Sequence, residues 1–212
     1  MIFISYASAQ KDAAGVLKAK LDEQRLMCFL AHEDIEEGEE WRDRIWKALH
    51  ECTAFIGLIS ADFNSSSWCQ QETGIALALK KPCMWIKMTN TDPAAFAGAY
   101  QAVKAKFASI ITALKTKSKF RSTRVFSFIQ GVARVTSYKD ANAVYDAFWS
   151  EWSEMTDREK VEWLEKAIDN GQVTTEGFKI GPFFSRAAKE LGPTLPKKWF
   201  EEHDPQRHVP RT

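Results

Sequence analysis

A chain of 212 residues, 45% of them hydrophobic and 27% charged, can bury one sizeable core, or one core and a small appendage. Its formal net charge of +1 excludes a broad nucleic-acid footprint, which needs a basic excess. No apolar run reaches the ~20 residues of a membrane helix. Met1-Ile2-Phe3-Ile4-Ser5 has neither the basic region nor the long apolar region of a signal peptide, so the expectation is a cytoplasmic protein that does not engage a membrane.

The first ~90 residues alternate strand and helix signals, as a parallel sheet with crossover helices requires. Ile2-Phe3-Ile4, Met27 to Leu30, Phe55 to Ile59 and Cys83 to Ile86 are short unbroken apolar runs. Strands that are covered on both faces read this way. Between them, Val16, Leu17 and Leu21, then Trp41, Ile45, Leu49 and Cys52, then Ile75 and Leu79 recur at helical spacing. Residues 94 to 118 are Ala-rich and predict a helix. The run Val132 to Val135 predicts the fifth strand, and a helix follows through Ala143, Tyr145, Phe148 and Trp149.

The tail predicts two more helices. Thr156 serves as N-cap for one that carries Val161, Trp163, Leu164 and Ile168 and is closed by Gly171. The other covers Phe183 to Leu191. Prolines then break the chain, and the last ~10 residues are expected to be disordered. Cys28, Cys52, Cys69 and Cys83 form no C-x-x-C pair and read as buried reduced thiols. The four histidines show no metal-ligand spacing, so neither a metal nor a cofactor is expected.

The segment Ser65 to Glu72 carries the candidate chemistry. Ser67 with Gln70 fits a capping box, which starts a helix at Trp68. Trp68 and Glu72 are then i and i+4, with Ile75 and Leu79 continuing the stripe. A carboxylate on an apolar stripe costs free energy unless it is paired or faces a cleft. In an open parallel sheet of order 2-1-3-4-5, the ligand crevice lies beyond the ends of strands one and three. Strand one ends in Ser5-Tyr6-Ala7-Ser8, and strand three leads to Trp68 and Glu72. Tyr6, Trp68 and Glu72 therefore surround one expected site. Ser8 is placed to receive a phosphate or to cap its helix. The competing reading has Glu72 paired with a nearby Arg or Lys.

Three segments, in order, resemble motifs of the Toll/interleukin-1 receptor (TIR) domain family. They are Phe3-Ile4-Ser5-Tyr6; Asp34 to Trp41; and Leu58-Ile59-Ser60 with Ser67-Trp68-Cys69 and Glu72. The family loop usually has Pro before its Gly, whereas this chain has Glu37. The resemblance implies an α/β flavodoxin-like fold with five parallel strands, spanning residues 1–152, and a helical extension over 153–212. In enzymatic members the W-x-x-x-E glutamate is required to cleave the nicotinamide–ribose bond of NAD, which maps onto Glu72 with Trp68 beside it. Tyr6 and Trp68 would offer aromatic faces, and NAD would be substrate rather than cofactor.

The chain is similar to single-domain bacterial TIR proteins of Thoeris-like antiphage defence, which make a nucleotide signal for a separate effector. That likeness also implies homo-oligomers built through TIR surfaces. The alternative is a TIR interaction module without activity. A phospho-acceptor receiver domain is set aside because its acidic positions hold Ser5-Tyr6 and Ile59-Ser60. A P-loop hydrolase is set aside because no G-x-x-x-x-G-K-[ST] occurs. The acidic residues from Glu33 to Glu40 read as a solvated loop at the N-terminus of the next helix.

Overall fold

The computed structural model describes residues 1–31, 41–104, 106–175 and 177–195. The loop motif before Trp41 and the end of the tail lie outside the described residues. The described chain divides into two compact units, Met1–Arg124 and Val125–Thr212. The sequence puts the boundary later, at residue 152. Residue 152 falls within the second unit, where Trp149 and Trp152 pack on Phe183.

The first unit is built on a five-stranded parallel sheet: β1 (Ile2–Ser5), β2 (Cys28–Leu30), β3 (Ala54–Ile59), β4 (Cys83–Lys87) and β5 (Val103–Lys104), in the order β2-β1-β3-β4-β5. Its central strands are buried along their whole length, as the unbroken apolar runs require. The helices are α1 (Lys11–Glu23), α2 (Trp41–Glu51), α3 (Ala61–Ser65), α4 (Ser67–Ala78) and α5 (Phe107–Thr116).

Side chains alternate across a strand. Phe3 and Phe55 therefore share a face, stacked with ring centroids 5.7 Å apart, and they belong to one buried cluster with Phe29, Trp85, Ile45 and Leu49 of α2, and Cys69 and Ala76 of α4. Ser5 lies two residues beyond Phe3 and so projects from the same face, in register with Gly57 of β3. Gly57 is required there for space. A Cβ at that position would stand 2.7 Å from the Trp85 ring and 3.3 Å from Phe63.

The fifth strand is not where the sequence predicts it. Val132 sits in α6 (Arg121–Ala133), and Val135 lies in the turn that follows, its N–H bonded to the Val132 carbonyl. A four-residue apolar run cannot separate a strand from the end of a buried helix. The true fifth strand is two exposed residues inside the stretch predicted helical, too short to carry any periodicity. The helical signal there belongs to α5 and to a short turn at Ala95–Ala99.

The second unit is helical: α7 (Tyr138–Phe148), a short 3-10 segment at Trp149–Glu154, α8 (Asp157–Ile168), α9 (Gly171–Thr174) and α10 (Ile180–Leu191). Thr156 caps α8 as expected, and Glu159 completes a reciprocal capping box. The helix ends at Ile168, and Gly171 opens α9 instead of closing α8. Trp163, fully buried, packs against Phe128, Trp152, Phe183 and Phe184.

Candidate functional site

The site begins with the cap of α4. The cap is Ser66, one residue earlier than predicted, and its hydroxyl accepts the Cys69 N–H at 3.3 Å. The buried residues are Cys69, Glu72, Thr73 and Ala76, spaced three and four apart. Trp68 and Leu79, expected on the apolar stripe, are 37% and 38% exposed. Glu72 thus falls at the centre of the inward face, only 3% exposed.

Its partner is not a base. The Ser5 hydroxyl, at the carboxyl end of β1, donates to Glu72 Oε2 at 2.5 Å. Glu72 Oε1 is buried and has no hydrogen-bond partner among the described residues. Burial pushes the Glu72 carboxyl up from 4.5 to about 7, and the Ser5 hydrogen bond, which favours the charged form, holds it partly down. No basic residue contributes to that balance. The expected alternative, a Glu72 locked to Arg or Lys, is absent among the described residues.

Glu72 lines a cavity of about 340 Å³ between α2 and α4. Arg42, Asp43 and Trp46 come from α2, and Trp68 and Gln71 join Glu72 from α4. Trp68 also meets Trp41 edge-on, centroids 4.3 Å apart. The cavity is therefore acid on its buried wall and aromatic at its mouth. Ser5 and Gly57 stand on neighbouring strands β1 and β3, where the strand order reverses, the position at which open α/β sheets bind ligands.

The structure brings Trp68 and Glu72 to one cavity and leaves the other two expected residues out of its described lining. Tyr6 is 2% exposed and packs in the core, so its ring offers no open face. Ser8 is exposed in the turn Ser8–Gln10; the cap position belongs to Ala7, and no side-chain cap forms. A phosphate-binding role for Ser8 has no support in that geometry. The sequence reading missed Ser5 as a partner of Glu72 and missed Arg42, Asp43, Trp46 and Gln71 as lining. The only available signal for Ser5 was a hydroxyl on the sheet face that otherwise carries Phe3. Among the described residues, no group of three or more His, Cys, Asp or Glu could hold a metal ion. None of the four cysteines forms a disulfide; Cys52 and Cys69 are buried, while Cys28 and Cys83 are only partly so. No described helix is long and apolar enough to cross a membrane.

Comparison with known proteins agrees with this architecture. The family model for the TIR domain matches residues 2–109, half of the chain, and the chain belongs to that family. A solved structure to which it is similar is the TIR domain of the Toll-related receptor TRR-2 from Hydra magnipapillata. That match has 18% identity and a TM-score of 0.48, covering 58% of this chain and 97% of the other. No curated protein matches the chain.

Proposed function

We propose that this TIR domain cleaves the nicotinamide–ribose bond of NAD, with Glu72 as the catalytic carboxylate. The observation that supports this reading is a buried carboxylate that borders a cavity between α2 and α4 and has a hydroxyl from the end of β1, not a cation, for a partner. An acid kept there for folding alone would be expected to carry a counter-ion, because an unpaired buried charge is costly.

The chemistry needs one carboxylate. Most glycosidases use two, one of them to protonate the leaving group. The nicotinamide of NAD is already cationic. When the C1′–N bond breaks, the electron pair leaves with the ring nitrogen and nicotinamide departs neutral. Positive charge then develops on the ribose, and ionised Glu72 stabilises it at short range in a poorly solvated site. The indole of Trp68 at the mouth offers a face for the pyridinium cation. Water as acceptor gives ADP-ribose and a proton; an internal nucleophile gives a cyclic product; another base gives an exchange product.

The same reading makes the product a nucleotide signal for a separate effector in bacterial antiphage defence. It also places the protein in the cytoplasm and assembles it as homo-oligomers, since TIR domains commonly associate through TIR–TIR contacts. The test is incubation of purified wild type and Glu72→Gln with NAD, followed by mass spectrometry. Wild type releases nicotinamide and an ADP-ribose-derived product, and the variant releases neither. Both proteins remaining inert under conditions that permit assembly would overturn the enzymatic reading in favour of a TIR interaction module.

A further inference from the structure

We infer that Ser5 is a positioning residue for the Glu72 carboxylate: it holds Oε2 so that Oε1 stays unpartnered, as the oxygen that a bound ribose hydroxyl would meet. This rests on the catalytic reading of Glu72 and adds to it the residue that presents the acid.

The geometry carries the argument. Ser5 is fully buried at the last position of β1. Its hydroxyl reaches across 67 positions of sequence to one carboxylate oxygen at 2.5 Å. A charge-assisted O–H···O⁻ contact of this length is among the stronger hydrogen bonds a side chain makes. The two carboxylate oxygens are thereby made unequal. One is occupied by the protein, and the other is buried with nothing to accept from among the described residues. An acceptor left unsatisfied in a protein interior costs stability, and such atoms mark sites where a ligand or water completes the bonding.

Position also matters. Phe3 and Ser5 project from the same sheet face, so a hydroxyl replaces an aromatic ring at the step where the face reaches the strand end. The pairing position on β3 is Gly57, over which the Trp85 and Phe63 rings close, so Ser5 stands at the edge of the packed aromatic layer. The bond favours the ionised form, the form the reaction requires, against the burial that opposes it. Among the described residues, Arg42 and Asp43 on α2 line the same cavity, and Cys69 on α4 has its thiol pushed up by burial.

The test compares wild type, Ser5→Ala and Ser5→Thr by two readouts. The first is the titration midpoint of the Glu72 side-chain carboxyl, followed by carbon-13 NMR and assigned by the loss of its signal in Glu72→Gln. The second is the pH profile of kcat and of KM for NAD. Ser5→Ala is expected to raise the midpoint by on the order of one unit. At pH 7 the ionised fraction then falls about fivefold, and kcat falls at least as far with KM little changed. Raising the pH recovers the ionisation part of that loss, and Ser5→Thr, which keeps the hydroxyl, restores the midpoint.

A Ser5→Ala protein whose Glu72 titrates like wild type, with unchanged kcat, overturns the inference. So does a Ser5→Thr variant, folded by circular dichroism, that behaves like Ser5→Ala. If wild type is inert toward NAD while the midpoint still shifts in Ser5→Ala, the catalytic reading of Glu72 fails and the positioning contact stands.

Discussion

Glu72 should make the protein less stable as the pH rises, and removing its charge should reverse that. In the unfolded chain its carboxyl titrates near 4.5; in the fold, burial raises it to about 7. Between those values the folded protein holds a proton that the unfolded chain gives up. Unfolding then releases protons, and stability falls as pH rises through this window. At 1.36 kcal/mol per unit, the full displacement corresponds to about 3 kcal/mol, essentially all of it lost by pH 8. That is a large share of the roughly 5–15 kcal/mol by which a domain is stable. Glu72→Gln keeps the shape and an acceptor for Ser5 but cannot ionise. It should match wild type closely near pH 4.5 and exceed it by up to about 3 kcal/mol at pH 8. Urea unfolding of both proteins at several pH values, with equal m-values as the control, measures this directly. A stability difference that stays constant from pH 4.5 to pH 8 would refute the buried, unpaired carboxyl. A difference of the opposite sign would indicate a cation partner.

Other perturbations test the surrounding frame. Gly57→Ala drives a methyl group to within 2.7 Å of the Trp85 ring. A cost of about 1–3 kcal/mol is expected by thermal denaturation, with near-UV circular dichroism showing a displaced Trp85. Trp163→Ala removes the fully buried indole about which Phe128, Trp152 and Phe183 pack. It should destabilise the second unit by about 3–5 kcal/mol, read as loss of hydrogen-exchange protection in α8 and α10.

These perturbations differ in how far the sequence alone foretold them. The four unbroken apolar runs pointed to four parallel strands because they alternate with segments of helical spacing, and a strand covered on both faces needs no alternation. The Thr156 cap was legible because an N-cap is a contact between neighbours in sequence; Glu159, which completes the box, came from the structure. Glu72 could be singled out because a carboxylate among apolar residues is out of place whatever surrounds it. Errors came where the signal was short or degenerate. Val132–Val135 fits a helix end as well as a strand, and β5 is too brief to show a period. Trp68, four residues before Glu72, lies about 40° round the helix from it and so falls at the edge of the inward face, not within it.

What the acid bonds to was settled only by the fold. No local pattern links Ser5 to Glu72; the register of β1 with β3 and the seating of α4 against them bring the two together. Tyr6 follows the same logic in reverse. Its neighbour Ser5 points toward α4, and strand alternation turns Tyr6 away from that face into the core. The sequence thus determined which side chains are available for chemistry. The tertiary structure decided which of them meet, because contacts between residues distant in the chain depend on register and on helix rotation, and both are fixed only when all the layers pack at once.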